Sequence, residues 1–545
     1  MLDSLPPGTQ QDTNVVSVKL QVNGSDMSNE ILLSQIIVNK SFNKIASAKI
    51  TLVDGSVSDR DFPLSDDDQF KPGNTITVQL GYQGDTATLF EGIIVKHAIK
   101  ALRHGASVLI LEAKDKAIQL AMARNSRYFI NKTDKDAIEE LAPNLQPDVD
   151  TTQFSHKQLV QFDATDWDFI LTRAEANGMM VFTDDGVLKV KKPDTTAAPV
   201  ATATYGENIY EFEGEMDARR QWQSVTSQSW DYTKQQNEVS NNGSANFTEP
   251  GNISSDELGA VLAADLTLRH TGHLTQQQLD NWSDAYALRN HISKITGRVR
   301  MEGNADIKPG TLVTLKGLGD RFNGNVFVTG VLHQFDGNWH TDVQFGWREE
   351  WFFKKEDVMD YPAAGLLPGV NGLQIGVVLD TEDTDEGGQY RVKVHVPLIT
   401  SGNEGIMARV ATLDAGANRG AYFRPQPKDE VILGFLNDDP REAVILGYLH
   451  SKDNHTSPLP EQEGTDQYGF VTKEGVKVIF DDTNKRLTLS VKGASGVKSM
   501  VLNDDGSAIA ITDDHQNKIT MDSSGITISA GSGNVVIKGG KVLIN

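Results

Sequence analysis

The 545-residue chain contains no cysteine. Disulfides, thiol nucleophiles and cysteine-ligated zinc are therefore all excluded. Long apolar runs are missing too. The longest blocks, such as Ala443–Leu446, fall far short of the roughly 20 residues a membrane helix needs. The opening Met1-Leu-Asp-Ser-Leu-Pro-Pro has no basic segment leading into an apolar core, so synthesis in the cytoplasm without a signal peptide is expected. Positive charge is in short supply: 51 Lys and Arg stand against 74 Asp and Glu, a formal net charge of −23. Phosphate binding needs clustered cations, and Arg219-Arg220 is too short a run, so no nucleic-acid partner is expected. The acidic excess reads as solubility and mutual repulsion. Standard catalytic patterns are absent as well: no H-E-x-x-H, G-x-S-x-G or G-x-x-x-x-G-K-[ST] occurs. No catalytic residue, cofactor or metal site is expected.

What is present is mostly alternation. Hydrophobic residues make up 38%, enough for several cores, and the length suits three to five domains. Over the first 120 residues, Val15–Val22, Glu30–Val38, Ala46–Val53, Thr75–Tyr82, Phe90–Ile99 and Ala106–Ala113 read as antiparallel strands of a barrel. Thr133-Asp-Lys-Asp136 opens a helix that Pro143 stops. A second helix runs from Thr165 to Gly178, with Trp167, Ile170, Leu171 and Ala174 on its core face. Met179–Phe182 and Val187–Val190 form a hairpin about Asp185-Gly186. Asn237–Asn252 reads as a loop, followed by helices at Ser255–Leu268 and Gln276–Arg289, the latter with a Thr275/Gln278 capping box. Three polar clusters invite a metal reading and fail it. Ser65–Asp68 is a solvated loop, His270 and His273 lack a third ligand, and Asp380–Gly388, with its glycine and terminal acid misplaced for a calcium loop, reads as a turn between the first two strands of a later barrel.

The chain also repeats itself. Phe70-Lys-Pro-Gly-Asn-Thr-Ile-Thr-Val78 parallels Ile307-Lys-Pro-Gly-Thr-Leu-Val-Thr-Leu315, and Gly92–His97 downstream of the first parallels Gly330–His333 downstream of the second. Two copies of one barrel are implied, with His97 and His333 as packing residues. Three such chains would present six similar units in a ring, which lets a trimer meet a six-fold tube.

Tyr361–Gly372 is a Pro/Gly linker. Beyond it, Arg391–Pro397, Arg409–Leu413, Gly420–Pro425, Glu430–Leu436 and Ala443–Leu449 are short strand-like runs separated by turn residues, as in a small closed Greek-key barrel of the OB type. In the final segment, apolar residues recur in pairs two apart: Ile509 and Ile511, Ile519 and Met521, Ile526 and Ile528, Val535 and Ile537, Val542 and Ile544. Each rung is too short to bury a core alone, so three chains are expected to share one.

The run R-V-K-V-x-x-P, the run A-x-F-x-P-x-x-x-x-E-V-I-L-x-F-L and the turn N-D-D-P-R resemble the OB module of VgrG-type spike proteins, the central hub-spikes of contractile injection machines. Arg173-Ala-Glu-Ala-Asn-Gly178 with Met179–Phe182 is similar to the helix-to-strand junction of the same family's hub. The resemblance implies a mainly β fold with two similar antiparallel barrels with helical insertions as the hub, an OB-fold barrel, and a C-terminal trimeric β-helix or β-prism needle. Expected boundaries are 1–120 for the first hub barrel, 121–291 for the helix-containing region, 292–360 for the second barrel, 361–374 for a linker, 375–451 for the OB fold, 452–467 for a linker and 468–545 for the needle. The needle core would be Ile509, Ile511, Ile519, Met521, Ile526, Ile528, Val535 and Ile537.

By that resemblance the chain is a structural homotrimer that caps the hexameric inner tube and punctures the target envelope. Its implied partners are the tube protein, baseplate proteins, optional effector cargo and a small PAAR-like tip protein seated on Val542, Leu543, Ile544 and Asn545. The chain would thus end up within an assembled injection particle. The 16 residues of Lys452–Gln467 leave no room for an inserted lytic domain, and no toxin domain is expected after Asn545. A tail adhesin or carbohydrate-binding fibre is the alternative, and a lytic spike enzyme a weaker one. The short needle favours an extracellular antifeeding-prophage-like particle or a phage tail over a type VI spike.

Overall fold

The computed structural model describes residues 15–544 apart from 153, 232–233, 271–273, 348–368, 384–389, 400–403, 453–454, 460–465 and 505–508. Two compact units, Met1–Asp360 and Tyr361–Asn545, divide the chain.

In the first unit, runs that alternate core-facing and outward residues form strands. They are β1 (Val16–Val22), β2 (Leu33–Ser41), β3 (Ser47–Val53), β4 (Thr75–Tyr82), β5 (Asp85–Lys100) and β6 (Val108–Lys114). A second set follows: β7 (Ala201–Thr204), β8 (Ile209–Met216), β9 (Ile295–Glu302), β10 (Leu312–Lys316), β11 (Gly324–Phe335) and β12 (Trp339–Phe345). Pairing runs β2-β3-β6-β5-β4-β1 in the first set and β8-β9-β12-β11-β10-β7 in the second. The two orders correspond strand for strand. They differ at one end, where β1 lies antiparallel to β4 but β7 lies parallel to β10.

Local irregularities repeat as well. Gly73 (φ +101°) and Gly310 (φ +91°) sit in equivalent Lys-Pro-Gly turns, in a backbone region that favours glycine. Gly73 N–H donates to the Ile94 carbonyl and Gly310 N–H to the Val328 carbonyl, each at 2.8 Å. A bulge follows at once in both copies, between Ile94 and Lys96 on β5 and between Val328 and Gly330 on β11. Another falls between Leu33 and Gln35 on β2 and between Ile209 and Glu211 on β8. These landmarks correct the alignment read from sequence. Val328 is the equivalent of Ile94, so His97 corresponds to Val331 and not to His333; the hairpin between turn and bulge is shorter in the second copy. Residues 201–216, expected in the helix-containing region, supply two strands of the second copy.

The copies do not close one by one. β11 pairs with β2 from Gly330↔Ser41 to Phe335↔Ile36, so both run into a single 13-stranded sheet. Each keeps its own core: Ile36, Ile50, Leu80 and Leu111 in the first, Val299, Val313, Val328 and Val343 in the second, all fully buried.

Helix α1 (Asp134–Leu141) starts on the expected Thr133 cap, and α2 (Asp166–Ala176) on Thr165, read from sequence as its first residue and here its cap. The hairpin at Met180–Asp184 and Val187–Lys191 carries Asp184 and Asp185 back onto the sheet. There Lys40, 3% exposed, donates to Asp184 at 2.7 Å and to Asp185 at 2.9 Å, while Lys308 of the second copy reaches Asp184 at 3.1 Å. One turn thus neutralises cations from both copies, and leaving Lys40 unpaired would cost several kcal/mol, about 3–5.

Helix α3 (Ser255–Leu262) is shorter than expected. Ala263 turns left-handed (φ +48°), and Asp265–His270 is a strand parallel to Ser224–Asp231. Leu266 and Leu268 alternate with polar neighbours and pack on Val225 and Tyr286, a two-residue period that helix-face counting missed. Helix α4 (Gln276–Ile292) has the expected Thr275/Gln278 capping box.

In the second unit, β13 (Gln374–Asp380), β14 (Val392–His395), β15 (Ile406–Val410), β16 (Glu430–Phe435) and β17 (Ala443–Tyr448) close into a barrel in the order β13-β14-β15-β17-β16. Its first strand precedes Arg391, and the Gly420–Pro425 run is not one of its strands. Tyr422 and Phe423 point outward instead, and Phe423 stacks on Phe470 at 5.5 Å. After the barrel come β18 (Gln467–Val471), β19 (Val476–Asp481), β20 (Arg486–Lys492), β21 (Val497–Asn503), β22 (Ile509–Thr512), β23 (Lys518–Asp522) and β24 (Gly525–Ser529). They pair in chain order as an antiparallel meander.

The two histidines read as packing residues are satisfied within the fold. His97 hydrogen-bonds Ser65 Oγ and the Phe70 carbonyl at 2.8 and 2.9 Å. His333 is buried against Thr341 Oγ1 at 3.0 Å, and burial, with Lys40 and Lys308 nearby, pushes its pKa down to about 3. It is therefore neutral when folded, whereas the unfolded chain binds that proton below about pH 6.5. Its contribution to stability is intact above pH 6.5 and is lost as pH falls from there towards 3, by at most about 1.4 kcal/mol per pH unit. In denaturant titrations of the full chain, His333→Gln should flatten the decline between pH 6.5 and 4.5; an unaltered slope would contradict this assignment.

Candidate functional site: the apolar face of the terminal sheet

In β19 to β24 every second residue is apolar, and the strand register lines these residues up. One ladder runs Val478, Leu489, Met500, Ile511, Ile519 and Ile528; the next runs Phe480, Leu487, Leu502, Ile509, Met521 and Ile526. Positions two apart share a face, so both ladders lie on one side of the sheet. The other side carries Thr488, Ser490, Ser499, Thr520, Thr527 and Ser529, among others. Among the described residues nothing covers the apolar side: Ile511 is 40% exposed, Ile528 56% and Ile526 68%. A groove of about 670 Å3 runs along it, and Val535 lines one end. Contiguous exposed apolar surface of this extent marks an interaction face.

The structure brings together six of the expected needle-core residues, namely Ile509, Ile511, Ile519, Met521, Ile526 and Ile528. Val535 and Ile537 lie past the last strand, 50% and 68% exposed. Val542, Leu543 and Ile544 are also outside any strand and exposed, and Asn545 lies outside the described residues. Sequence reading missed the ladder's first half, although Val478-x-Phe480, Leu487-x-Leu489 and Met500-x-Leu502 show the same spacing.

Two polar clusters have the residue types of catalytic or metal sites. In a cavity of about 720 Å3, Asp134 takes two hydrogen bonds from Arg173 (2.7 and 3.1 Å) and one from Asn177 (2.8 Å), and lies 3.2 Å from His156 Nε2. Burial alone would raise its pKa, but these partners outweigh it and hold the carboxyl well below the usual range. A carboxylate so saturated has no proton to exchange near neutrality; it ties the start of α1 to α2. Asp513, Asp514 and His515 bring ligand atoms within 4.8 Å of one another in the β22–β23 turn. There Asp513 already accepts hydrogen bonds from Asn517 and the His515 N–H, which shape the turn. Of the three polar clusters whose sequence fails a metal reading, the first is a capped turn in which Asp67 accepts from Gln69 N–H at 2.9 Å. In the other two, 271–273 and 384–389 lie outside the described residues.

Family models match two stretches of the chain. The family model for the Alg8 N-terminal domain matches residues 12–337, and that for the Type VI secretion system/phage-baseplate injector OB domain matches residues 374–450. No curated protein sequence matches the chain. Among solved structures, a tail protein from Neisseria meningitidis MC58 is similar at 16% identity over 62% of this chain and 98% of its own, with a TM-score of 0.45. The E. coli c3393 protein, described as a component of the type VI secretion system, is similar at 12% identity over 79% of this chain and 100% of its own, TM-score 0.40. The Francisella PdpA-VgrG complex is similar at 9% identity over 95% of this chain and 80% of that one, TM-score 0.40. The match across residues 12–337 places the chain in the Alg8 N-terminal domain family, and the match across 374–450 gives it the OB domain of type VI secretion and phage-baseplate injectors, as the resemblance to VgrG-type spikes implied.

Proposed function

We propose that the chain is a structural hub-spike that acts as a homotrimer, meeting a hexameric inner tube through its duplicated sheet and the target envelope through its terminal sheet. The uncovered apolar ladder carries this reading. Each Ile, Leu, Met, Phe or Val removed from water contributes about 1.5–3 kcal/mol, and three copies of one such face can bury one another around an axis. The duplication supports it from the other end, since three chains with two like copies each match six tube subunits. Among the described residues no helix is long and apolar enough to cross a membrane. No catalytic step belongs to this reading, and the saturated Asp134 cluster gives none.

The exposed Val542–Ile544 suggests where a separate tip protein would bind, through apolar contact. Baseplate proteins and effector cargo would dock elsewhere on the same particle.

Light scattering on the purified full-length chain should give three times 59.6 kDa; a monomeric mass at micromolar concentration would sink the proposal. Ile526→Asp or Ile528→Asp would set three carboxylates against one another at a buried level and should weaken assembly, with a lower melting temperature. Wild-type melting in both variants would argue against an inward face. Deleting Lys541–Asn545 should leave the trimer intact while abolishing capture of a PAAR-like tip protein in a pull-down. Undiminished capture would remove the terminus from the tip site.

A further inference from the structure

The duplicated sheet contains one joint of a kind that it could make twice. Within the chain, the second half of β11 is the edge onto which β2 docks: Gly330↔Ser41, Leu332↔Asn39, Gln334↔Ile37. The matching bulges identify the equivalent partners. β5 beyond its bulge is the counterpart of β11 beyond its own, and β8 is the counterpart of β2. Yet β8 pairs only with β9, and Lys96–Lys100 of β5 pairs only with β6. Among the described residues no backbone hydrogen bond reaches the outer side of either segment. These edges are the two halves of the same joint, left open on one chain.

We infer that β5 of one protomer pairs antiparallel with β8 of the next, repeating between chains the joint that β11 and β2 make within one. Transferring the register places Lys96 opposite Asp217, Ala98 opposite Glu215, Ile99 opposite Gly214 and Lys100 opposite Glu213 of the neighbouring copy. The charges are complementary at Lys100, where Glu213 has a 78% exposed side chain with only a 3.8 Å approach from Arg298, while Lys96 and Asp217 already pair with Glu112 and Arg219 on their own chain. Ile99, 49% exposed on the single chain, gains cover, and opposite it stands a residue with no side chain to clash. An open edge is a liability that a fold normally blunts, and here both edges are filled by one event. Each chain carries one half of the joint at either end, so the contact is head-to-tail. Head-to-tail contacts form a ring when the rotation closes and a filament when it does not. Joints of one geometry within and between chains make successive steps alike, so three chains give a ring of six similar sheets. This rests on the trimer reading above, and adds the edges and register through which the hub closes.

Because the chain has no cysteine of its own, paired thiols report the register directly. Facing residues of an antiparallel pair have Cα atoms about 4.5–5.5 Å apart, within disulfide range. In the full-length chain, Lys100→Cys with Glu213→Cys should give, on mild oxidation, covalent species of two and three chains on a non-reducing gel. Gln334→Cys with Ile37→Cys, the equivalent pair in the internal joint, should cross-link within one chain and run as a monomer. Lys100→Cys with Glu211→Cys, out of register, should lag at least tenfold. A separate measurement uses charge: Lys100→Glu should raise the dissociation constant of the trimer, and adding Glu213→Lys should restore it. A particle of trimeric mass with no interchain cross-link and no charge rescue would overturn the β5–β8 joint while leaving the hub-spike reading standing. A monomeric mass would overturn both.

Discussion

A sheet edge carries a row of backbone N–H and C=O groups, and what bonds to that row decides how far the sheet extends. In this protein the internal joint between β11 and β2 is where that constraint bites. It turns two copies of one six-strand pattern into a single sheet, and the paired aspartates at the hairpin tip lock it by neutralising Lys40 and Lys308. Break the joint and the hub becomes two small sheets with open edges. Keep it, and the chain holds two like copies in one continuous sheet.

The terminal sheet meets the opposite problem. Its backbone groups are paired strand by strand, while its side chains are not buried on the apolar side. Hub and terminal sheet are thus each incomplete in a different respect, hydrogen bonds in one and apolar area in the other. In the proposed trimer, copies of the same chain would supply what both lack.

Much of this was legible in the sequence where a local pattern reports a local environment. Strands such as Ser47–Val53 and Val108–Lys114 have one buried face and alternate cleanly. The caps at Thr133 and Thr275 are short-range motifs, read directly. The misses are of another kind. β8 presents Glu211, Glu213 and Glu215 outward, so it lacks the apolar signal of a core strand, and only its partner β9 reveals it. Gly420–Pro425 has the apolar/polar pattern of a short strand between turn residues, yet Phe423 stacks on Phe470 outside the barrel. The Asp134–Arg173 contact spans 39 positions and has no local signature. The apolar ladder is only half legible from the pairs at Ile509 onward, because its first half at Val478, Leu487 and Met500 lies in longer strands with further apolar residues such as Ile479, Val491 and Val501.

Two like copies per chain and three chains per particle, as proposed, would produce a six-fold hub. Electron cryomicroscopy of the purified full-length chain tests it in one image class. End-on averages should show six similar lobes in a closed ring around a central three-fold density. Three lobes, an open arc or a single-chain particle would contradict it.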